Sequence, residues 1–137
     1  MTMKKIFLTL IPLLFILTAR AQMTDSSRNS NDKVFTSAER AAEYPGGLEK
    51  FYRFLGKTLR YPAAARENNT QGKVLVSMVV EKDGSLSNVK VQRGIGDGCD
   101  EEAVRLIKLS SPWKPGIQNS RPVRVMYTVP VSFVLAN

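Results

Sequence analysis

Arg121-Pro122-Val123-Arg124-Val125-Met126-Tyr127-Thr128-Val129-Pro130-Val131-Ser132-Phe133-Val134-Leu135 alternates: every odd position from Val123 to Leu135 is apolar, and the even positions include Arg124, Thr128 and Ser132. A period of two turns one set of side chains toward a core and the other away from it, so this run predicts a long strand with one buried face. Pro130 sits inside it. A proline has no N–H to give to a ladder and is found in sheets on edge strands or at bulges. The run therefore predicts a strand with one free edge. A free edge is a template on which another chain can pair.

Such a strand needs partners, and they lie upstream. Lys73 to Glu81 alternates as well, with Val74, Val76, Met78 and Val80 on one face. Lys82-Asp83-Gly84 supplies a tight turn, and Leu86 to Arg93 returns with Val89 and Val91 set against Asn88, Lys90 and Gln92. This is a hairpin signature. A helix follows, from Cys99 or Asp100 to Leu109, turning Ala103, Leu106, Ile107 and Cys99 inward. Ser110 to Gly116 breaks it, and Trp113, between two prolines, reads as a plug for the end of a small core. Hairpin, helix and strand form a split βαβ unit, in which the last strand returns beside the first, antiparallel to it. The expected fold class is α+β, with a three-stranded antiparallel sheet in the order 2-1-3 and helices on one face.

Further upstream, Gly47 to Leu59 reads as a helix, with Leu48, Phe51 or Tyr52, Leu55 and Leu59 at helical spacing and a solvated basic face. Tyr61-Pro62-Ala63-Ala64-Ala65-Arg66-Glu67-Asn68 is a second, short helix with Pro62 at its first position. Tyr44-Pro45-Gly46-Gly47 is punctuation. Val34-Phe35 reads as a short strand and Ala38 to Ala42 as a helical turn. Gln22 to Lys33 is polar and predicts a disordered leader. Before it, Lys4-Lys5, an apolar run from Ile6 to Leu17, and Ala19-Arg20-Ala21 describe a secretory signal peptide cleaved between Ala21 and Gln22. The apolar run is shorter than the ~20 residues of an ordinary spanning helix. The expected division is residues 1–21 signal peptide, 22–33 leader and 34–137 one domain.

Composition narrows the function. The formal net charge is +8, and removing Lys4, Lys5 and Arg20 leaves +5. That suits anionic envelope surfaces or acidic partner loops. Nucleic acid is not expected, because there is no concentrated basic stripe with stacking aromatics. The chain has no histidine, which excludes Ser-His-Asp and Cys-His catalysis and most zinc and copper sites. Cys99 is the single cysteine, so no internal disulfide can form. Glu81 and Asp83 flank a turn, and Asp100-Glu101-Glu102 opens a helix; both groups read as turn and helix-dipole chemistry rather than as a paired acid and base. Gly94-Ile95-Gly96-Asp97-Gly98 precedes a helix, but no Gly-Lys-Ser/Thr follows and the three acids oppose an anion. No enzyme, cofactor or metal site is expected.

In order and spacing, these residues resemble the C-terminal domain of the energy transducer TonB. The resemblance runs from about Tyr44 to Phe133. It is carried by Tyr44-Pro45-Gly46-Gly47, Tyr61-Pro62-Ala63-Ala64-Ala65-Arg66, Gly72-Lys73-Val74, Asp83-Gly84, Val89-Lys90-Val91, Gly98-Cys99-Asp100-Glu101-Glu102-Ala103, Trp113-Lys114-Pro115-Gly116 and the Pro122 to Phe133 strand. It implies a periplasmic domain whose last strand binds a short extended peptide, the TonB box, at the amino terminus of an outer-membrane transporter. Force would come from an inner-membrane ExbB–ExbD-type motor if the amino terminus stays uncleaved and anchored. The residues implied at the partner site are Tyr61, Pro62 and Arg66, with Val131, Ser132, Phe133, Val134 and Leu135 on the last strand. A complete transducer also has a long proline-rich spacer. Here Gln22 to Lys33 has no proline and reaches only about 40 Å when extended. The alternative reading is therefore a stand-alone periplasmic interaction or scaffold domain, binding other envelope proteins or peptidoglycan without energy transduction. A free edge also permits a strand-swapped homodimer.

Overall fold

A computed structural model describes residues 33–136. The expected signal peptide, and the expected leader up to Asp32, lie outside the described residues. The elements run β1 (Val34–Phe35), α1 (Gly47–Thr58), α2 (Ala63–Glu67), β2 (Gly72–Val80), β3 (Leu86–Arg93), α3 (Cys99–Leu109), β4 (Gly116–Gln118) and β5 (Arg121–Phe133).

β2 and β5 form the spine. They pair antiparallel without a slip from Gly72↔Phe133 to Val80↔Val125. β3 flanks β2 on the other side, so the three long strands lie in the expected order. The sheet is nevertheless mixed and larger than three strands. β1 pairs parallel with β5 at Val34↔Arg124 and Phe35↔Val125, and β4 pairs with the start of β5 through Gly116↔Val123, Ile117↔Pro122 and Gln118↔Arg121. β5 is thus flanked on both sides at Val125, rather than lying wholly at an edge. β4 was hidden because its turn is Asn119-Ser120. Both residues take positive φ, 50° and 61°, as a two-residue primed turn requires. Serine at the second position carries little of the signal that glycine would. The helical turn expected over Ala38 to Ala42 is absent. That stretch is extended and bridges to the segment around β4 at Arg40↔Ile117 and Glu43↔Lys114.

The β2–β3 register shifts twice, once between Leu75 and Val76 and once between Ser77 and Val79. Asn88, at φ 49°, sits in the second irregularity. Bulges of this kind twist an edge and end clean pairing. The two outer sides of the sheet therefore differ: β3 is broken, while β5 is regular.

The helices cover one face. Val74, Val76, Met78 and Val80 of β2 and Val129, Val131 and Phe133 of β5 meet Phe51 and Leu55 of α1, Ala65 of α2 and Cys99, Ala103, Leu106 and Ile107 of α3. Within α1, Phe51 rather than Tyr52 is the buried residue. Leu48, expected inward, is 51% exposed, because the helix starts at Gly47 and its first turn lies beyond the core. Pro62 stands just before α2, at ψ 141°, not within it. Trp113 closes the core end as expected: it is buried among Tyr44, Phe51 and Tyr127, and its Nε1–H donates to Ser110 Oγ at 2.9 Å. Its backbone N–H donates to the Gly84 carbonyl at 2.8 Å. A Cβ on Gly84 would come within 2.1 Å of the Trp113 carbonyl oxygen, and φ there is +87°, so only glycine serves at this turn.

Candidate peptide-binding edge

The candidate site is the far part of β5. β1 leaves β5 at Val125, and from Met126 to Phe133 no described strand occupies the edge opposite β2. Side chains alternate as the sequence predicts. Val129, Val131 and Phe133 are buried, whereas Met126, Thr128, Ser132 and Val134 are exposed.

Backbone parity follows from two observations. Pro130 stands opposite Leu75 in an uninterrupted register. Having no N–H for β2, it belongs at a position whose amide side faces away from that partner. The Leu135 amide, of opposite parity, donates to Gln71 Oε1 at 3.0 Å, just before β2 begins. Even-numbered residues therefore present backbone groups to the open edge. Thr128, Ser132 and Val134 offer N–H donors there, and Pro130 interrupts the row with a carbonyl alone.

The residues singled out from sequence divide accordingly. Val131 and Phe133 are fully buried, so their side chains belong to the core. Ser132 and Val134 lie on the edge with exposed side chains, Val134 at 72%. Leu135 already spends its amide on Gln71. Tyr61 packs its ring edge against Phe133 at 5.8 Å, donates its hydroxyl to the Thr70 carbonyl, and carries the Arg66 guanidinium 5.7 Å from its ring centre. Burial, reinforced by the nearby Cys99 thiol, pushes the Tyr61 phenol above its ordinary pKa against the opposing pull of Arg66. Tyr61, Arg66 and Phe133 thus form one cluster at the end of the edge. Pro62 instead packs against Gly98 at the start of α3, where an added Cβ would lie 3.0 Å from the proline ring. Met126 and Thr128 were missed as edge residues. The parity of Pro130 was the signal that could have found them.

Four of the acidic residues singled out from sequence are engaged in structure. Glu81 accepts from Arg124 Nε at 2.6 Å and from Ser87 Oγ at 2.5 Å, tying β2, β3 and β5 together. The Arg124 bond holds its carboxyl below the ordinary range in spite of partial burial. Asp83 accepts from the Ser85 amide at 2.9 Å, and Asp100 accepts from the Ile95 amide at 2.8 Å. Glu102, read from sequence as a helix-dipole residue, is buried. Burial alone would raise its carboxyl, but Arg105 and the Arg60 amide, at 2.7 Å, bring it below the usual value. Among the described residues, no group of three or more His, Cys, Asp or Glu is placed to hold a metal ion, and no helix is long and apolar enough to cross a membrane.

Comparison with known proteins places the fold in a family. The chain is 34% identical over 110 residues to Protein TonB of Haemophilus influenzae, an alignment covering 77% of this chain and 41% of that protein. The chain therefore spans well under half the length of that relative. Its fold is similar to the solution structure of the Helicobacter pylori TonB C-terminal domain, with a TM-score of 0.51 at 24% identity over 69% of this chain and 90% of that one. The family model described as Gram-negative bacterial TonB protein C-terminal matches residues 57–135. Those residues contain the β5 edge, the Tyr61 cluster and the sheet that supports them, and the chain belongs to the TonB C-terminal domain family.

Proposed function

We propose that this domain captures an extended peptide from the amino terminus of an outer-membrane transporter, adding it as a strand to β5 between Met126 and Val134. In this reading the domain works in the periplasm and supports energy-dependent transport across the outer membrane. An inner-membrane motor of the ExbB–ExbD type supplies the force if the amino terminus is anchored. The observation that carries the proposal is the regular edge of β5 beyond Val125, on which no described strand lies. Strand addition draws its attraction from backbone pairing and its selectivity from alternate side chains. Each hydrogen bond contributes about 1 kcal/mol net, and ordering the peptide offsets much of the sum, so the affinity is on the order of micromolar. Tyr61 and Arg66 supply side-chain contacts where the edge ends beside Phe133.

An NMR titration with amino-terminal peptides from transporters of the same cell tests the reading. The amides of Thr128, Ser132 and Val134 should shift together and saturate. Shifts confined to Lys82-Asp83-Gly84, with β5 silent, would refute the site.

A further inference from the structure

A cleft of about 450 Å³ opens at the start of β5. Its walls include Lys33 and Phe35 at β1, Lys82 in the β2–β3 turn, and Arg121, Pro122 and Arg124 of β5, and among the described residues no acidic side chain lines it. Arg124 is held by Glu81. Lys33 and Arg121 are exposed and enter no ion pair among the described residues. Lys33 packs 4.8 Å over the Phe35 ring, and the Asn119-Ser120 turn leads directly into Arg121. The cleft thus sets cations beside apolar walls, which suits a carboxylate on a short methylene stem.

Its position relates it to the open edge. A peptide lying on β5 loses its backbone partners at Val125, where β1 takes over, and the cleft borders that point through Phe35 and Arg124. Backbone pairing repeats every two residues, so a strand held by it alone can slip by two without changing which side chains face the core. A charged anchor at one end removes that freedom. Resting on the strand-capture reading, we infer that this cleft binds carboxylates flanking the captured strand. The partner is then an extended peptide with an acidic flank at its β1 end, and the cleft fixes its register.

The test is calorimetric titration of the full chain and of a Lys33→Gln/Arg121→Gln double variant, whose fold is checked by amide dispersion. The probes are a neutral Thr/Val peptide long enough to span Met126 to Val134, the same peptide extended with aspartates at either end, and the aspartate segment alone. One of the two extended peptides should bind roughly three- to tenfold more tightly than the neutral one. That gain should vanish in the double variant and in high salt, while the neutral peptide binds both proteins equally. Neutral binding without a gain from either extension, or a gain that survives the double substitution, overturns the inference and leaves strand capture standing. An aspartate segment that binds as tightly as the extended peptide makes the cleft a separate anion site and overturns it too. A neutral peptide that fails to bind removes strand capture, and this subsite with it.

Discussion

Leu106, fully buried in α3, shows how much of the stability rests on single side chains. Leu106→Ala should cost about 2–5 kcal/mol by lost burial and a residual cavity, read from the denaturant midpoint. Cys99 is also buried, and burial, followed by the charges of Asp100, Asp97 and Glu101, pushes its thiol upward. A native-state thiol reagent should therefore label it slowly, at the rate of local opening; fast labelling would contradict the packing role. Glu81 and Glu102 titrate the other way. Each carboxyl is held below the ordinary glutamate value in the folded chain. Their stabilisation is fully present above that value and disappears as pH falls through the depressed folded pKa. Glu81→Gln keeps the Ser87 bond but loses the charge-assisted bond from Arg124, costing about 1–2 kcal/mol at neutral pH. The variant and the parent should then converge in stability under acid; a gap that stays constant down to pH 3 would show that Glu81 does not titrate as argued.

At the scale of elements, β5 carries the sharpest contrast. The Ser132 amide faces the open edge and the Val131 amide faces β2. Ser132→Pro should leave the fold intact and abolish peptide capture, Ser132→Ala should change little, and Val131→Pro should unfold the sheet by breaking the β2 ladder. Circular dichroism and the peptide titration together separate these outcomes. The same strand explains what was legible in advance. Long alternating runs fixed β2, β5 and their faces, because register follows from period two once one face is buried. The three-strand order followed from the helix between hairpin and strand. The Val34–Phe35 strand was legible, but its parallel pairing with β5 was not, and the three-residue β4 was missed, because both pairings are set by tertiary approach. The candidate site divided in the same way. Ser132 and Val134 came from periodicity. The engaged Leu135 amide and the separation of Pro62 from β5 depend on Gln71 and Gly98, residues distant in sequence that only the fold brings close.

For the whole molecule, an open regular edge is a hazard as well as a tool, because two copies can pair through it. Pro130 limits this by removing one donor near the middle of the row. Pro130→Thr restores that donor, and sedimentation velocity should find a larger dimer fraction at high protein concentration, with little change in monomer stability. An unchanged monomer would show that the missing donor at Pro130 is not what keeps copies apart.

The uninterrupted β2–β5 ladder has a mechanical consequence. A captured strand pulled along its own axis loads all its hydrogen bonds at once, in shear, whereas a pull across the sheet opens them one after another. If β5 captures a peptide as proposed, the grip is firm in one direction and weak in another. β5 itself is secured to β2 along the whole stretch from Val125 to Phe133, while a guest strand meets a row broken at Pro130. In the proposed capture, rising tension detaches the guest first and the sheet survives to bind again, so the coupling would act as a reusable clutch that slips where Pro130 breaks the row.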